Sequence, residues 1–83
     1  MNITVKLYSV FRLEYDNYNS YNGEKGLKVD LDRNSTILDL LRMLKIDPQR
    51  VSLVRVNERI VKDYNSILSS GDTIELFPFF GGG

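Results

Sequence analysis

Neither histidine nor cysteine occurs among the 83 residues. Imidazole acid–base catalysis, thiolate nucleophiles, disulfides and zinc sites built from Cys and His are therefore excluded. The carboxylates Asp30, Asp32 and Asp39 are scattered, and Asp39 sits where a helix cap needs it. Without histidine or cysteine no nucleophile–base pair can be proposed, and an enzyme reading has little support. The group that could do chemistry is the end of the chain, Gly81-Gly82-Gly83. Three residues extend at most ~10 Å, enough to carry a carboxylate clear of a folded body. Glycine has no Cβ, so the segment could thread a narrow channel. The terminal carboxylate of Gly83 is ionised at neutral pH, a nucleophile for an activated phosphate such as the α-phosphate of ATP. Taken alone, such a run fits a frayed terminus as well as a reactive one.

Aromatic residues lead up to that end. Phe77, Phe79 and Phe80 flank Pro78, and Tyr8 lies on the outward side of the first strand pattern. Together they would form an exposed aromatic patch, a common anchor for protein partners. The alternative is that Phe77 or Phe80 folds back on the edge of the core. Tyr15, Tyr18 and Tyr21 could stack on a base or sugar, although the favoured reading is tyrosines resting on the domain surface. Arg55, Glu58, Arg59, Lys62 and Asp63 read as solvated surface, with Arg55 or Lys62 able to meet an acidic groove.

These residues need a scaffold, and the length allows one domain, spanning 1–83 with a flexible tail over 79–83. A hydrophobic content of 42% fits a globular chain. Lys plus Arg and Asp plus Glu balance at 11 each, so there is no cation surplus for nucleic acid. No apolar run approaches the length of a membrane span. The start has no signal-peptide pattern, which makes the cytoplasm the expected location.

Ile3, Val5 and Leu7 alternate with polar residues, as do Leu27, Val29 and Leu31, so two half-buried strands are predicted. Val10 and Phe11 continue or cap the first strand's apolar face, and Glu14 to Gly26 reads as a long loop. Thr36-Ile37-Leu38-Asp39 is a capping box, followed by Ile37, Leu40, Leu41 and Leu44 on one helical face. Pro48 stops that helix just beyond Ile46. Val51 to Val56 is a third strand, Asn57-Glu58 a turn, and Ile60-Val61 a short returning strand. Ile67 and Leu68 plug the core, Ser69 to Asp72 turns the chain, and Thr73 to Phe77 is the last strand. Pro78 cannot donate to a ladder and so releases the tail. The order β, β, α, β, short β, β suggests an α+β domain, a mixed sheet of about five strands with one main helix. The β-grasp, or ubiquitin-like, fold has this order.

Several stretches resemble the ubiquitin-like sulfur carriers of the MoaD and ThiS group. Val5-Lys6-Leu7-Tyr8-Ser9 is similar to the opening strand, V-K-x-F/Y-A. Ser35-Thr36-Ile37-Leu38-Asp39-Leu40-Leu41 is similar to the helix start, Val54-Arg55-Val56-Asn57 to the V-x-V-N turn, and Gly71-Asp72-Thr73-Ile74-Glu75-Leu76 to G-D-E-I-x-L. Gly82-Gly83 matches the Gly-Gly end. Three departures stand out: Glu58 replaces the usual glycine after Asn57, the 14–26 loop is longer and richer in Tyr and Asn, and Phe79-Phe80 replaces a less bulky stretch.

The resemblance implies a carrier rather than a catalyst. A ubiquitin-activating-type adenylating enzyme would use ATP and magnesium to adenylate Gly83, with no cofactor held by the chain itself. A sulfur donor enzyme's persulfide would displace AMP, leaving a thiocarboxylate for a synthase. That synthase would be the molybdopterin synthase large subunit or thiazole synthase. Phe77-Pro78 and the chain length favour the molybdopterin route, whether for molybdenum or tungsten. The resemblance makes Gly82 and Gly83 the reacting end, and the aromatic patch beside it gives Tyr8, Phe77, Phe79 and Phe80, with Gly81, as expected docking residues. A protein modifier that forms isopeptide bonds with lysines, and a plain β-grasp binding module, are the competing readings.

Overall fold

The computed structural model describes residues 1–16 and 26–79. Along the chain come β1 (Asn2–Leu7), α1 (Val10–Asp16), β2 (Leu27–Asp30), α2 (Ile37–Leu44), a 3-10 turn (Pro48–Arg50), β3 (Val51–Val56), β4 (Arg59–Ile60) and β5 (Thr73–Pro78). The strands form one five-stranded sheet in the order β2-β1-β5-β3-β4. β1 and β5 run parallel at its centre, and the other neighbours are antiparallel. This is the expected α+β arrangement, the β-grasp.

The alternation seen in the sequence sets the two faces of the sheet. Ile3, Val5 and Leu7 of β1 and Ile74 and Leu76 of β5 point inward, into one core with Ile37, Leu40 and Leu41 of α2. Thr36 caps α2 as its spacing predicts. Its hydroxyl accepts from the Asp39 amide at 3.1 Å, and the Asp39 carboxylate accepts from the Thr36 amide at 2.9 Å. That backbone bond, with the Thr36 hydroxyl next, holds the Asp39 carboxyl below its ordinary range. The remaining free amides of the first turn, on Ile37 and Leu38, donate to the carbonyls of Ser66 and Tyr64.

Several elements differ from the sequence pattern. Val10 and Phe11 leave the strand and open a seven-residue helix, α1, where pattern alone gives an apolar continuation and then a loop. Phe11 is buried, whereas Val10 and Leu13 are exposed, so α1 carries too few inward residues to show a period. It is held from outside: Arg50 pairs with Glu14 at 2.7 Å and lies over the Phe11 ring at 5.3 Å. The Glu14 hydrogen bond raises the Arg50 pKa further. α2 ends at Leu44, before Pro48. Lys45 takes the left-handed conformation (φ 60°) and returns its amide to Arg42 and Leu41. Lysine gives no sign of that cap in the sequence, and Pro48 begins the 3-10 turn instead. β4 starts one residue earlier than Ile60. Leu68 fills the core, but Ile67 is exposed and bridges to Thr36 on the surface. β5 includes Pro78, which is buried and lies opposite Val51.

The Asn57-Glu58 turn forms in spite of Glu58. Both residues have positive φ (51° and 69°), the requirement of a type I′ hairpin turn. Asn57 is bolted to the turn before β5: its amide donates to Thr73 O at 2.8 Å and its Oδ1 accepts from Thr73 N at 3.0 Å. Its Nδ2 donates to Asp72 at 2.8 Å. Glu58 has no such compensation among the bonds described, so it carries the left-handed strain of an L-residue. Glu58→Gly is expected to stabilise the domain by about 0.5–1 kcal/mol, after allowing for the looser unfolded chain. A thermal melt checks this, with an upward shift of about 3–6 °C.

Candidate functional site

The sheet face turned away from α2 is where the expected docking residues meet. The strand registers order it into rows. Thr4 lies beside Lys28 and Thr73, and Lys6 lies beside Glu75, which faces Arg55. Ile60, opposite Arg55, extends that second row. The third row, at the end from which the tail leaves, is apolar. Tyr8 stacks on Phe77 with ring centroids 4.3 Å apart and planes 9° from parallel, and Leu53 stands opposite Phe77. Phe79 follows, 67% exposed.

This third row is fixed in place. The Tyr8 hydroxyl donates to Glu75 Oε2, and Arg55 Nε pairs with Glu75 Oε1 at 3.4 Å. Glu75 thus uses both oxygens, one to hold the tyrosine ring over Phe77 and one to hold Arg55 in the neighbouring row. Tyr8 and Phe77 therefore neither fold under the sheet edge nor project freely. They form a flat, half-buried pair. An aromatic surface held in one orientation loses little side-chain freedom on docking.

Phe80, Gly81, Gly82 and Gly83 lie outside the described residues, as do Tyr18 and Tyr21. Leu53 and Ile60 belong to the same face but attract no attention in the sequence. Leu53 faces outward by alternation with buried Val54, and a bulge in β3 between Val51 and Leu53 shifts the register so that Val51 turns inward. No sequence signal marks that bulge. Elsewhere, a groove of about 530 Å³ between α1 and the end of α2 is lined chiefly by Phe11, Tyr15, Met43, Leu44 and Ile46. Glu14, the carboxylate among its described lining residues, is tied to Arg50. No group of three or more acidic residues suited to a metal ion occurs among the described residues, and no described helix is long and apolar enough to cross a membrane.

With this geometry in view, comparison with known proteins places the chain. The model of the ThiS family matches residues 17–83, from the segment before β2 through the final glycine. The chain belongs to the ThiS family. Among curated protein sequences, none matches it. Solved structures share the fold at low identity. SAMP1 from Haloferax volcanii is 21% identical with a TM-score of 0.67, each chain covered in full. A chain from the complex of subunits 1 and 2 of molybdopterin-converting factor of Helicobacter pylori is 19% identical with a TM-score of 0.62, again with full coverage. The Haloferax volcanii HVO 2177 protein, solved in solution, is 23% identical with a TM-score of 0.74; the match covers all of this chain and 87% of that one. This member of the ThiS family thus has the ubiquitin-like β-grasp fold, with the apolar row Tyr8–Phe77–Leu53 at the end of the sheet where β5 finishes.

Proposed function

We propose that this chain is a sulfur carrier for molybdopterin-type cofactor synthesis, working through the carboxylate of Gly83. The observation that carries the reading is the family match, which runs to residue 83 and so includes the diglycine end. The absence of cysteine supports it, because sulfur can then be held only at the terminus. The Gly83 carboxylate attacks the α-phosphorus of magnesium-bound ATP in the site of a ubiquitin-activating-type enzyme and releases pyrophosphate. The acyl-adenylate is a far better electrophile than the carboxylate, and charge stabilisation comes from the partner's site. A persulfide from a sulfur donor enzyme displaces AMP, and a second thiol cleaves the acyl disulfide to leave the thiocarboxylate. The carrier contributes docking surface and reach: the sheet face with Tyr8 and Phe77 binds the partner, and Phe79 to Gly83 extend into its site.

The Helicobacter pylori neighbour was solved as a complex of both subunits of molybdopterin-converting factor. That favours a synthase large subunit as the recipient over thiazole synthase, and we assign the reaction to the cytoplasm, where ATP is at hand. Intact mass spectrometry of protein isolated from its host tests the reading: one oxygen at Gly83 should be exchanged for sulfur. Removing Gly82-Gly83 should abolish adenylation and leave the melting temperature unchanged. Cofactor synthesis supported by the truncated protein would sink the proposal, and adducts on lysines of other proteins would point to a protein modifier instead.

A further inference from the structure

We propose that Ser52 is a positioning residue, which fixes the direction in which the chain leaves the sheet after Pro78. The inference rests on the carrier reading for its functional consequence but on local geometry for its substance. Ser52 is the extra residue of the bulge: Val51 lies opposite Pro78 and Leu53 opposite Phe77, leaving Ser52 without a partner in the ladder. At this point the ladder is short of donors. Pro78 has no amide hydrogen, and the amide of Val51 is already given to the Pro48 carbonyl, closing the 3-10 turn. The Ser52 hydroxyl fills the gap. It donates to the Pro78 carbonyl at 2.8 Å, with the Phe77 carbonyl a longer, sharing acceptor at 3.3 Å.

The orientation of the Pro78 carbonyl defines the peptide plane between Pro78 and Phe79, and therefore ψ of Pro78. The pyrrolidine ring already locks φ at that residue, and its side chain is buried. Ring and hydroxyl together set both soft dihedrals of the last strand residue. One residue further on, Phe79 is exposed, and the segment that must enter a partner's site begins. A tail aimed before encounter spends less conformational freedom on binding. Because the bound tail has one geometry whichever way it starts, the effect falls on KM for the carrier and leaves kcat alone.

The amide of Phe79 lies in the peptide plane that Ser52 holds, so its ¹⁵N order parameter reads the bond directly in the free protein. Ser52→Ala is expected to lower that order parameter with little change in melting temperature, since Ser52 is exposed. It should raise the carrier's KM in ATP–pyrophosphate exchange, catalysed by the adenylating enzyme of the same host, about three- to tenfold at unchanged kcat. Ser52→Thr retains the hydroxyl and should restore both values. An unchanged order parameter in Ser52→Ala overturns the inference whatever the chain's function. A lowered order parameter with unchanged KM overturns the positioning role. Absence of exchange with the wild-type chain overturns the carrier reading, and with it the functional half of the inference.

Discussion

Gly26→Ala is expected to cost the domain about 2–4 kcal/mol, enough to remove a large share of its stability. Gly26 stands at the entry to β2 with φ +76°, and a Cβ there would lie 2.9 Å from Thr4 Cγ2 and 2.9 Å from the Val5 carbonyl oxygen. The methyl group of Thr4 can turn aside, but the carbonyl belongs to the central strand. Two penalties therefore add: about 1–2 kcal/mol for an L-residue in the left-handed region and about 1–3 kcal/mol for the overlap. Only about 0.4–1 kcal/mol returns from a stiffer unfolded chain. Gly71 separates the two penalties, since it has φ +89° but nothing within 4 Å of its would-be Cβ. Gly71→Ala should show the conformational penalty alone, about 1 kcal/mol. Urea denaturation measures both, with an unchanged m-value confirming that the native state is the one affected. Equal losses at the two positions would mean that β2 moves away from β1 without cost.

The second large effect concerns docking. If the proposed carrier function holds, Phe77→Asp is expected to weaken binding to the adenylating enzyme of the same host at least ~30-fold, the value of a central aromatic anchor worth about 2 kcal/mol. Phe77 lies mid-row, stacked on Tyr8 and opposite Leu53. A carboxylate there would be desolvated against the partner and stand two residues along the same face from Glu75. Tyr8→Phe is the milder control: it keeps the ring and loses the hydroxyl's bond to Glu75. Titration calorimetry of each variant with the enzyme is the measurement. If Phe77→Asp binds as tightly as the wild type, the partner docks elsewhere on the carrier.

The scaffold of this face was legible wherever a pattern repeats. Ile3, Val5 and Leu7 alternate, Thr36 and Asp39 are spaced as a capping box, and Ile37, Leu40, Leu41 and Leu44 share a helical face; each forms the element its spacing predicts. What escaped depends on single residues and distant contacts. α1 exists because Phe11 inserts into the core and Arg50, far along the chain, clamps Glu14. Lys45, a residue with no preference for the left-handed region, ends α2. The inward turn of Val51 follows from a bulge at a serine, a residue common in any setting. Within this face, Tyr8 and Phe77 could be found from alternation. Their stacking could not, because it depends on a register between β1 and β5 that joins residues almost a whole chain apart.

That register also governs when the molecule becomes competent. The two strands at the centre of the sheet pair Thr4 with Thr73 and Leu7 with Leu76. Until β5 arrives, the β1–β2 ribbon has no hydrogen-bonded neighbour on its inner side, and β3 has only the two-residue β4 beside it. Closing contacts over so long a stretch is entropically slow and comes late in folding. The strand that completes the sheet is the one from which the glycines extend, and its arrival also creates the Tyr8–Phe77 surface. A chain in which β5 has not paired therefore cannot display the Tyr8–Phe77 surface, so on the carrier reading proposed above a partner that reads this face selects folded molecules.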